Sequence, residues 1–165
     1  MLFGINSLAG AISSPLSIWG WVQGHSEFGP RALGNRSILA DPRLLENRDR
    51  VNHLVKKREG YRPFAPAVLV EDAHEYFKLP SNKSHFPFMN YVVEVREDKR
   101  HLIKAVTHVD GTARIQTVSR QTNERFWDLI HAFKVLTEIP IVLNTHSIIT
   151  LSRLLIHYLT RSHVF

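Results

Sequence analysis

Apolar residues recur at helical spacing in two long stretches of the chain. The first stretch follows Asp41 and Pro42, a pair suited to a helix start because Asp can cap and Pro fits the first helical position. Gly60 is a suitable stop. The predicted apolar face of this helix consists of Leu44, Leu45, Arg48, Val51, Leu54 and Val55.

The second helical stretch spans residues 123–137, and a shorter helix is predicted over residues 71–77. The apolar face of the longer helix consists of Phe126, Leu129, Ile130, Phe133 and Leu136. Runs rich in β-branched and aromatic residues predict strands between the helices. These strands are expected at residues 17–23, 67–70, 88–95, 103–108, 113–118 and 141–143.

The turns between these segments are also marked in the sequence. Asp110-Gly111 is a hairpin signal and would join the strands at 103–108 and 113–118. Residues 79–87 read as a loop and residues 96–101 as a charged turn. Because strands and helices mingle without a linker or repeat, the pattern predicts one domain of the α/β or α+β class around a mixed sheet.

Residues 27–41 (EFGPRALGNRSILAD) follow neither a helical nor a strand period. Glycines allow close approach of the backbone to a ligand, and proline stiffens it. Arg31 and Arg36 could offer forked donors to an oxyanion. Two interpretations stay open here, a phosphate or carboxylate site and a surface turn with solvated arginines.

Composition narrows the class of protein. A chain of 165 residues with 44% hydrophobic residues can build one core and is not disordered. No apolar run is long enough to span a bilayer, and no Lys or Arg precedes the apolar opening as in a signal peptide. We therefore expect a cytoplasmic protein without a membrane partner. The absence of cysteine excludes disulfides and thiolate metal sites.

The net charge of +6 points to an anionic partner. Arginine, the better bidentate phosphate ligand, outnumbers lysine among the 21 basic residues. Four groups of basic residues each lie beside a turn or at the end of a predicted element. Ligand sites of α/β folds gather at such positions. The candidates are Arg31 with Arg36, Lys56 with Arg58, Arg62, and Arg114.

Other catalytic signatures are missing from the sequence. The ten histidines show no metal-binding spacing. His108 and Asp110 could ligate a metal, but polar residues at a strand end are commoner, and we expect no metal site. No Walker loop, GxGxxG motif or nucleophile elbow is present.

Four segments together resemble one protein family. They are residues 24–42 (GHSEFGPRALGNRSILADP), 55–66 (VKKREGYRPFAP), 106–118 (VTHVDGTARIQTV) and 142–145 (VLNT). They are similar to the C-terminal, YrdC-like domain of the O-carbamoyltransferases, the group of the nodulation and antibiotic carbamoyltransferases. The resemblance covers residues 17–145, whereas residues 1–16 do not match and residues 146–165 form a divergent tail.

The resemblance implies an α/β fold with a mixed twisted sheet flanked by helices. It also implies a transferase that binds carbamoyl phosphate and ATP with Mg²⁺ and forms carbamoyladenylate. The phosphate ligands that it implies are Arg31, Lys56, Arg58, Arg62 and Arg114, with Asn144 and Thr145 at the far wall of the site. No protein nucleophile is needed, because cationic donors can stabilise the charge that builds at phosphorus.

The resemblance also implies a partner, a separate N-terminal domain of the actin-like ATPase fold that passes the carbamoyl group to a hydroxyl. Two alternatives stay open beside it: a basic RNA- or anion-binding module without catalysis, and an inactive remnant. A nucleic-acid partner is disfavoured, because the basic residues gather at loop ends and not along one helix face with interleaved aromatics.

Two departures from the family pattern lie near the expected site. His25 stands where the family has arginine, and His146 stands where the family has a phosphate-facing serine. A neutral imidazole offers one N–H donor and becomes a cation only at lower pH. These positions are therefore expected to weaken ligand binding at alkaline pH.

Overall fold

A computed structural model describes residues 4–81 and 83–146, and these residues form a six-stranded sheet with helices packed on it. The strands are β1 (Ile18–Val22), β2 (Arg36–Ala40), β3 (Ala65–Leu69), β4 (Tyr91–Glu94), β5 (Thr112–Val118) and β6 (Ile141–His146). The α-helices are α1 (Ile5–Ser13), α2 (Leu45–Arg50), α3 (Ala73–Tyr76) and α4 (Glu124–Thr137). A π-helix (Val51–Lys56) continues α2, and 3-10 helices span Val70–Asp72, Glu97–Leu102 and Lys104–Val106.

The strand order is β1-β2-β6-β3-β5-β4, with β3 and β5 parallel and the other neighbouring pairs antiparallel. Strands β2, β3 and β5 therefore run in one direction. Their N-terminal ends meet the C-terminal end of β6 at one end of the sheet. We call this the loop end, because residues 24–35, 57–64 and 107–111 enter the three strands there.

Helices α1 and α4 pack on each other, and α4 contacts β6 and β3. The predicted helix over residues 123–137 is confirmed, with Asn123 as a cap that accepts from the Phe126 N–H. Its predicted face is buried except for Leu136, which is exposed. The apolar opening, for which no element is predicted, forms α1 and buries Ala9 and Ile12.

The predicted α/β class, with one domain and a mixed sheet, is confirmed. The strands expected at residues 17–23, 113–118 and 141–143 are present. Strand β3 begins at Ala65, earlier than expected, and all five of its residues are buried. The strand expected at 88–95 is limited to Tyr91–Glu94, with an isolated bridge from Phe77 to Val95.

The predicted start and stop of the first long helix are wrong. The Asp41 carboxylate accepts from the Arg43 N–H and binds the Arg43 guanidinium, so it does not cap a helix, and α2 begins at Leu45. Leu45 and Leu54 are exposed, although the period placed both on the apolar face. The helical run ends at Lys56, because Lys57 adopts a left-handed conformation with φ 47°.

The strand expected at residues 103–108 is also wrong. This segment contains the 3-10 helix Lys104–Val106, and its turn packs on α2 with the Ala105 N–H donating to the Pro42 carbonyl. The Asp110-Gly111 turn does form, with the Gly111 N–H donating to the His108 carbonyl. It joins a 3-10 turn to β5 and therefore does not make a hairpin.

Residues 96–101, expected as a turn, lie in a segment that includes the 3-10 helix Glu97–Leu102. Among the helices that the structure describes, none combines the length and the apolar character needed to cross a bilayer. The expected divergent tail begins at His146, and its residues 147–165 lie outside the described residues.

Candidate anion-binding site

The loop of residues 24–35 connects β1 to β2, and side chains from the sheet hold its backbone carbonyls. Asn144 Nδ2 donates to the Ala32 carbonyl at 3.1 Å and to Gln116 Oε1 at 2.9 Å. Gln116 Nε2 donates in turn to the Leu33 carbonyl at 2.9 Å. The loop is therefore tied to two strands that lie far from it in sequence.

A carboxylate inside the loop binds its backbone N–H groups. Glu27 Oε1 accepts from Leu33 and Asn35 at 2.7 Å and from Arg36 at 3.2 Å. Burial opposes ionisation of Glu27, but these backbone donors outweigh it, and the pKa of the carboxyl is lowered. Glu27 therefore acts as an internal brace that fixes the shape of the loop.

The two arginines of this loop have different roles. The Arg36 guanidinium donates to the backbone carbonyls of Gln23, Asn35 and Gly24 at 2.8–3.0 Å. Its donors are used within the protein, so the interpretation of Arg36 as an oxyanion ligand is not supported. Arg31 lies exposed on the same loop, and its charge acts on Arg114.

The π-helix ends at Lys56, and Arg58 follows two residues later, so both residues lie at the loop end. Asn52, which is buried, accepts from Arg58 Nε at 2.7 Å and donates to the carbonyls of Gly60 and Arg62. Lys56 Nζ donates to the backbone carbonyl of His146, the last residue of β6. Burial, with a smaller effect from the charge of Arg58, lowers the pKa of Lys56 to about 8.

Arg114 lies near the start of β5 and is half-buried, and its Nε has no hydrogen-bond partner among the residues that the structure describes. Burial lowers the pKa of Arg114, and the positive charges of Arg31 and Arg58 lower it further. The pKa of Arg58 is lowered in the same way, by burial and then by Arg62, while Glu59 opposes the shift.

These interactions define a cation cluster, in which positive charges from two loops and from strand β5 act on one another. The carboxylate of Glu59 contacts the cluster, and its Oε2 lies 3.2 Å from Arg62 Nε. A cluster of this kind binds anions, because an oxyanion would relieve the repulsion and supply the missing acceptors. Its members are Arg31, Lys56, Arg58, Arg62 and Arg114.

The two residues expected at the far wall lie on opposite faces of the sheet. Successive side chains of a strand alternate, so Asn144 and His146 share a face and Thr145 lies on the other. Asn144 is opposite Ala65 and Leu39, whereas Thr145 is opposite Ile38. The alternation separates Asn144 from Thr145, and their contact with a ligand stays a prediction.

The face of Asn144 carries several buried polar atoms that have no hydrogen-bond partner within residues 4–81 and 83–146. They include Asn144 Oδ1, Ser37 Oγ and His146 Nδ1, and Ser37 lies directly opposite His146 in the β2–β6 pair. Buried polar atoms normally have hydrogen-bond partners. This cluster at the loop end is therefore consistent with a site for a polar ligand.

An open cleft of about 410 Å³ lies near the cation cluster. His108 in this cleft is used by the fold, because its Nδ1 lies 3.0 Å from Thr112 Oγ1. Asp110 Oδ1 accepts from the Thr112 N–H and hydroxyl. Burial lowers the pKa of His108, an effect that Asp110 opposes and Arg114 increases. The residues that line the cleft are Arg48, Tyr61, Pro63, Thr107, His108, Val109 and Asp110.

The described residues contain no group of three His, Asp or Glu side chains that could hold a metal ion. The sequence analysis did not single out Glu27, Asn52 or Gln116, which shape the site without facing solvent. Gln116 carried a usable signal, since a polar residue inside an apolar strand needs a buried partner.

The chain matches the family described as carbamoyltransferase C-terminus over residues 13–151. It is 67% identical over 129 residues to nodulation protein NolNO of Sinorhizobium fredii, and this match covers 78% of this chain and 19% of that protein. It is 66% identical over 129 residues to nodulation protein NolO of Bradyrhizobium diazoefficiens, over 78% of this chain and 24% of that protein.

A relative from another genus is named for an enzymatic activity. The 3'-hydroxymethylcephem-O-carbamoyltransferase of Streptomyces clavuligerus is 44% identical over 138 residues, or 82% of this chain and 25% of that enzyme. The chain thus spans about a fifth to a quarter of the length of these curated relatives. It belongs to the carbamoyltransferase C-terminal family.

Proposed function

We propose that this carbamoyltransferase C-terminal domain binds carbamoyl phosphate and the phosphates of ATP at the cation cluster. The observation that carries the proposal is Arg114, a half-buried guanidinium with an unpartnered Nε and two further arginines as its charged neighbours. An oxyanion beside Arg114 would accept the free donor and offset the repulsion.

The residues of the cluster suit phosphates in both position and number. Arg31 and Arg58 come from two different loops and Arg114 from strand β5, so they can surround a ligand that carries several charged oxygens. Bound ATP would supply the adenylyl group, and its Mg²⁺ would neutralise part of the phosphate charge. The cluster residues would bind and orient the phosphates and stabilise the charge that builds as pyrophosphate leaves.

Water would first hydrolyse carbamoyl phosphate to carbamate and inorganic phosphate. A carbamate oxygen would then attack the α-phosphorus of ATP, and pyrophosphate would leave, which gives carbamoyladenylate as the proposed product. No side chain is needed as a nucleophile in this reaction, which agrees with the lack of a nucleophile motif in the sequence. We assign the later transfer to a hydroxyl acceptor to the additional length of the relatives. The chain alone is therefore expected to yield no carbamoylated acceptor.

Calorimetry with carbamoyl phosphate, and separately with ATP and Mg²⁺, tests the proposal. The loss of one charge-assisted contact costs about 1.5–3 kcal/mol, so Arg114→Met should weaken binding by about ten-fold or more. Arg120→Met is the matched control, since Arg120 follows the C-terminal end of β5 and its guanidinium pairs with Glu124 at 3.3 Å. No heat at millimolar ligand, or equal losses in both variants, would contradict the proposal.

A single-stranded RNA ligand is the second candidate, and one observation favours it. Phe28 and Tyr61 are strongly exposed and lie beside Arg31 and Arg62, in positions from which they could stack on bases. RNA binding would be lost in Phe28→Ser and Tyr61→Ser, whereas binding of carbamoyl phosphate would not need these rings. An inactive remnant would bind none of these ligands.

A further inference from the structure

Lys56 differs from the neighbouring Lys57 in every structural respect that matters for amine chemistry. Lys56 is the last residue of the π-helix, half-buried, with Nζ turned to the end of β6. Lys57 adopts the left-handed conformation that ends the helix, and its side chain is exposed. Two adjacent lysines therefore offer a reactive candidate and a matched control in one chain.

The surroundings of Lys56 favour small anions. The positive charge of Arg58 acts on the Lys56 amine, and Lys56 Nζ donates to the His146 carbonyl. Arg58 belongs to the cation cluster together with Arg62 and Arg114. A positive cluster raises the local concentration of anions, and cyanate is one of the smallest.

The same surroundings keep part of the Lys56 amine unprotonated. Burial lowers its pKa to about 8, so a large fraction of the amine is neutral near that pH. A fully solvated lysine titrates near 10.4 and has roughly two orders of magnitude less free amine at neutral pH. Lower basicity offsets part of this gain in nucleophilicity, as it does for thiols.

We propose that Lys56 is a selective carbamylation site of this domain, with cyanate as the modifying reagent. A cyanate ion beside the cluster first takes up a proton from solvent and becomes isocyanic acid. The free pair of Nζ then bonds to its carbon, and one C=N bond of the reagent opens. The proton that Nζ loses moves to the reagent nitrogen. The product is a neutral substituted urea, and no group leaves.

The chemistry links this site to the family's own substrate class. Carbamoyl phosphate breaks down in water to cyanate and phosphate, so any pool of it carries the modifying reagent. Carbamylation would remove the charge of Lys56 and weaken the cation cluster. The inference itself rests on the position of Lys56 and not on the proposed function, because free cyanate is enough to test it.

The test incubates the folded chain with potassium cyanate near pH 7.5 and quantifies each modified lysine by peptide mass spectrometry. Lys56 should react about ten-fold faster than Lys57, and in urea the two rates should become equal. Equal rates in the folded chain would overturn the inference. A preference that persists in urea would also overturn it, since local sequence and not the fold would then be responsible. Lys56→Arg checks the peptide assignment.

Added inorganic tripolyphosphate separates this inference from the proposed function. Slower modification of Lys56, with Lys57 unaffected, would support both. Fast selective modification of Lys56 that tripolyphosphate does not slow would support the carbamylation site and contradict phosphate binding at the cluster.

Discussion

The basic residues at the two ends of the sheet have different charged neighbours. At the end where β2, β3 and β5 finish, three basic residues each contact a carboxylate. Arg43 lies 2.6 Å from Asp41, Lys134 lies 2.8 Å from Asp72, and Arg120 lies 3.3 Å from Glu124. At the loop end, Arg114 has Arg31 and Arg58 as its charged neighbours.

This difference separates charges that serve the fold from charges that await a ligand. A carboxylate partner offsets the cost of taking a guanidinium out of water. A half-buried arginine among other arginines carries that cost uncompensated in the free protein. The loop end is therefore where an external anion has the most to contribute, and the following experiments test the comparison in order of expected effect.

The largest effect is expected at Gly34, which holds the rigid loop against α4. Gly34 has φ 106°, and a Cβ there would lie 2.3 Å from the Phe126 ring. Gly34→Ala combines backbone strain with overpacking and should cost about 3 kcal/mol in the free energy of unfolding. Urea unfolding measures it, with Gly20→Ala as the control, because a Cβ at Gly20 has no atom within 4 Å. Equal small effects would show that the loop is not fixed by this contact.

Asp41→Asn tests the paired end. The fully buried Asp41 carboxylate makes three contacts of 2.6–3.0 Å with the Arg43 guanidinium. Its neutralisation should cost about 2 kcal/mol, the range for hydrogen bonds to charged groups. Asp49→Asn is the control, since Asp49 pairs with Arg48 at the surface and should change stability by less than about 1 kcal/mol. A loss no larger than that of the control would remove Asp41 from the fold's stabilising pairs.

Lys56→Met tests the uncompensated end through pH. The pKa of Lys56 is lowered to about 8 in the folded chain from 10.5, so between these values the unfolded chain binds more protons. Lys56 therefore destabilises the native state fully below pH 8, and this penalty disappears as pH rises towards 10.5. With a discount for solvent near the half-exposed amine, Lys56→Met should gain about 1 kcal/mol at pH 7 and nothing at pH 10.5. A difference independent of pH would contradict the buried position of the amine.

The smallest effect is expected for the stability of Arg114→Met in the absence of ligand. Removal of this uncompensated cation should leave the free energy of unfolding unchanged or raise it by about 0.5 kcal/mol, although the same change is expected to impair phosphate binding. Arg43→Met at the other end should instead be clearly destabilising, because it leaves Asp41 buried and unpaired. Chemical unfolding of both variants measures the contrast. Destabilisation by both changes would mean that Arg114 is a structural cation like Arg43.

Local pattern predicted some elements well because their stability is local. Helix α4 has a cap at Asn123 and a clear apolar period. Strand β5 follows the Asp110-Gly111 turn, and β6 opens with an apolar run after Pro140. The pattern failed for residues 41–60, where Asp41 binds Arg43 and is unavailable as a cap. It also failed for residues 103–108, which pack as a 3-10 turn on α2, a contact that no local period encodes.

The sequence by itself determined the family motifs, the α/β class and the positions of the basic residues along the chain. Only the tertiary structure decided which of them act together. Arg31 and Arg36 look equivalent in the sequence of one loop. In the structure the Arg36 guanidinium donates to backbone carbonyls, whereas Arg31 is exposed and its charge acts on Arg114. Asn144 and Thr145 are adjacent but lie on opposite faces. The physical reason is that hydrogen-bond partners and like-charge neighbours come from strands distant in sequence, so strand order and side-chain alternation determine them.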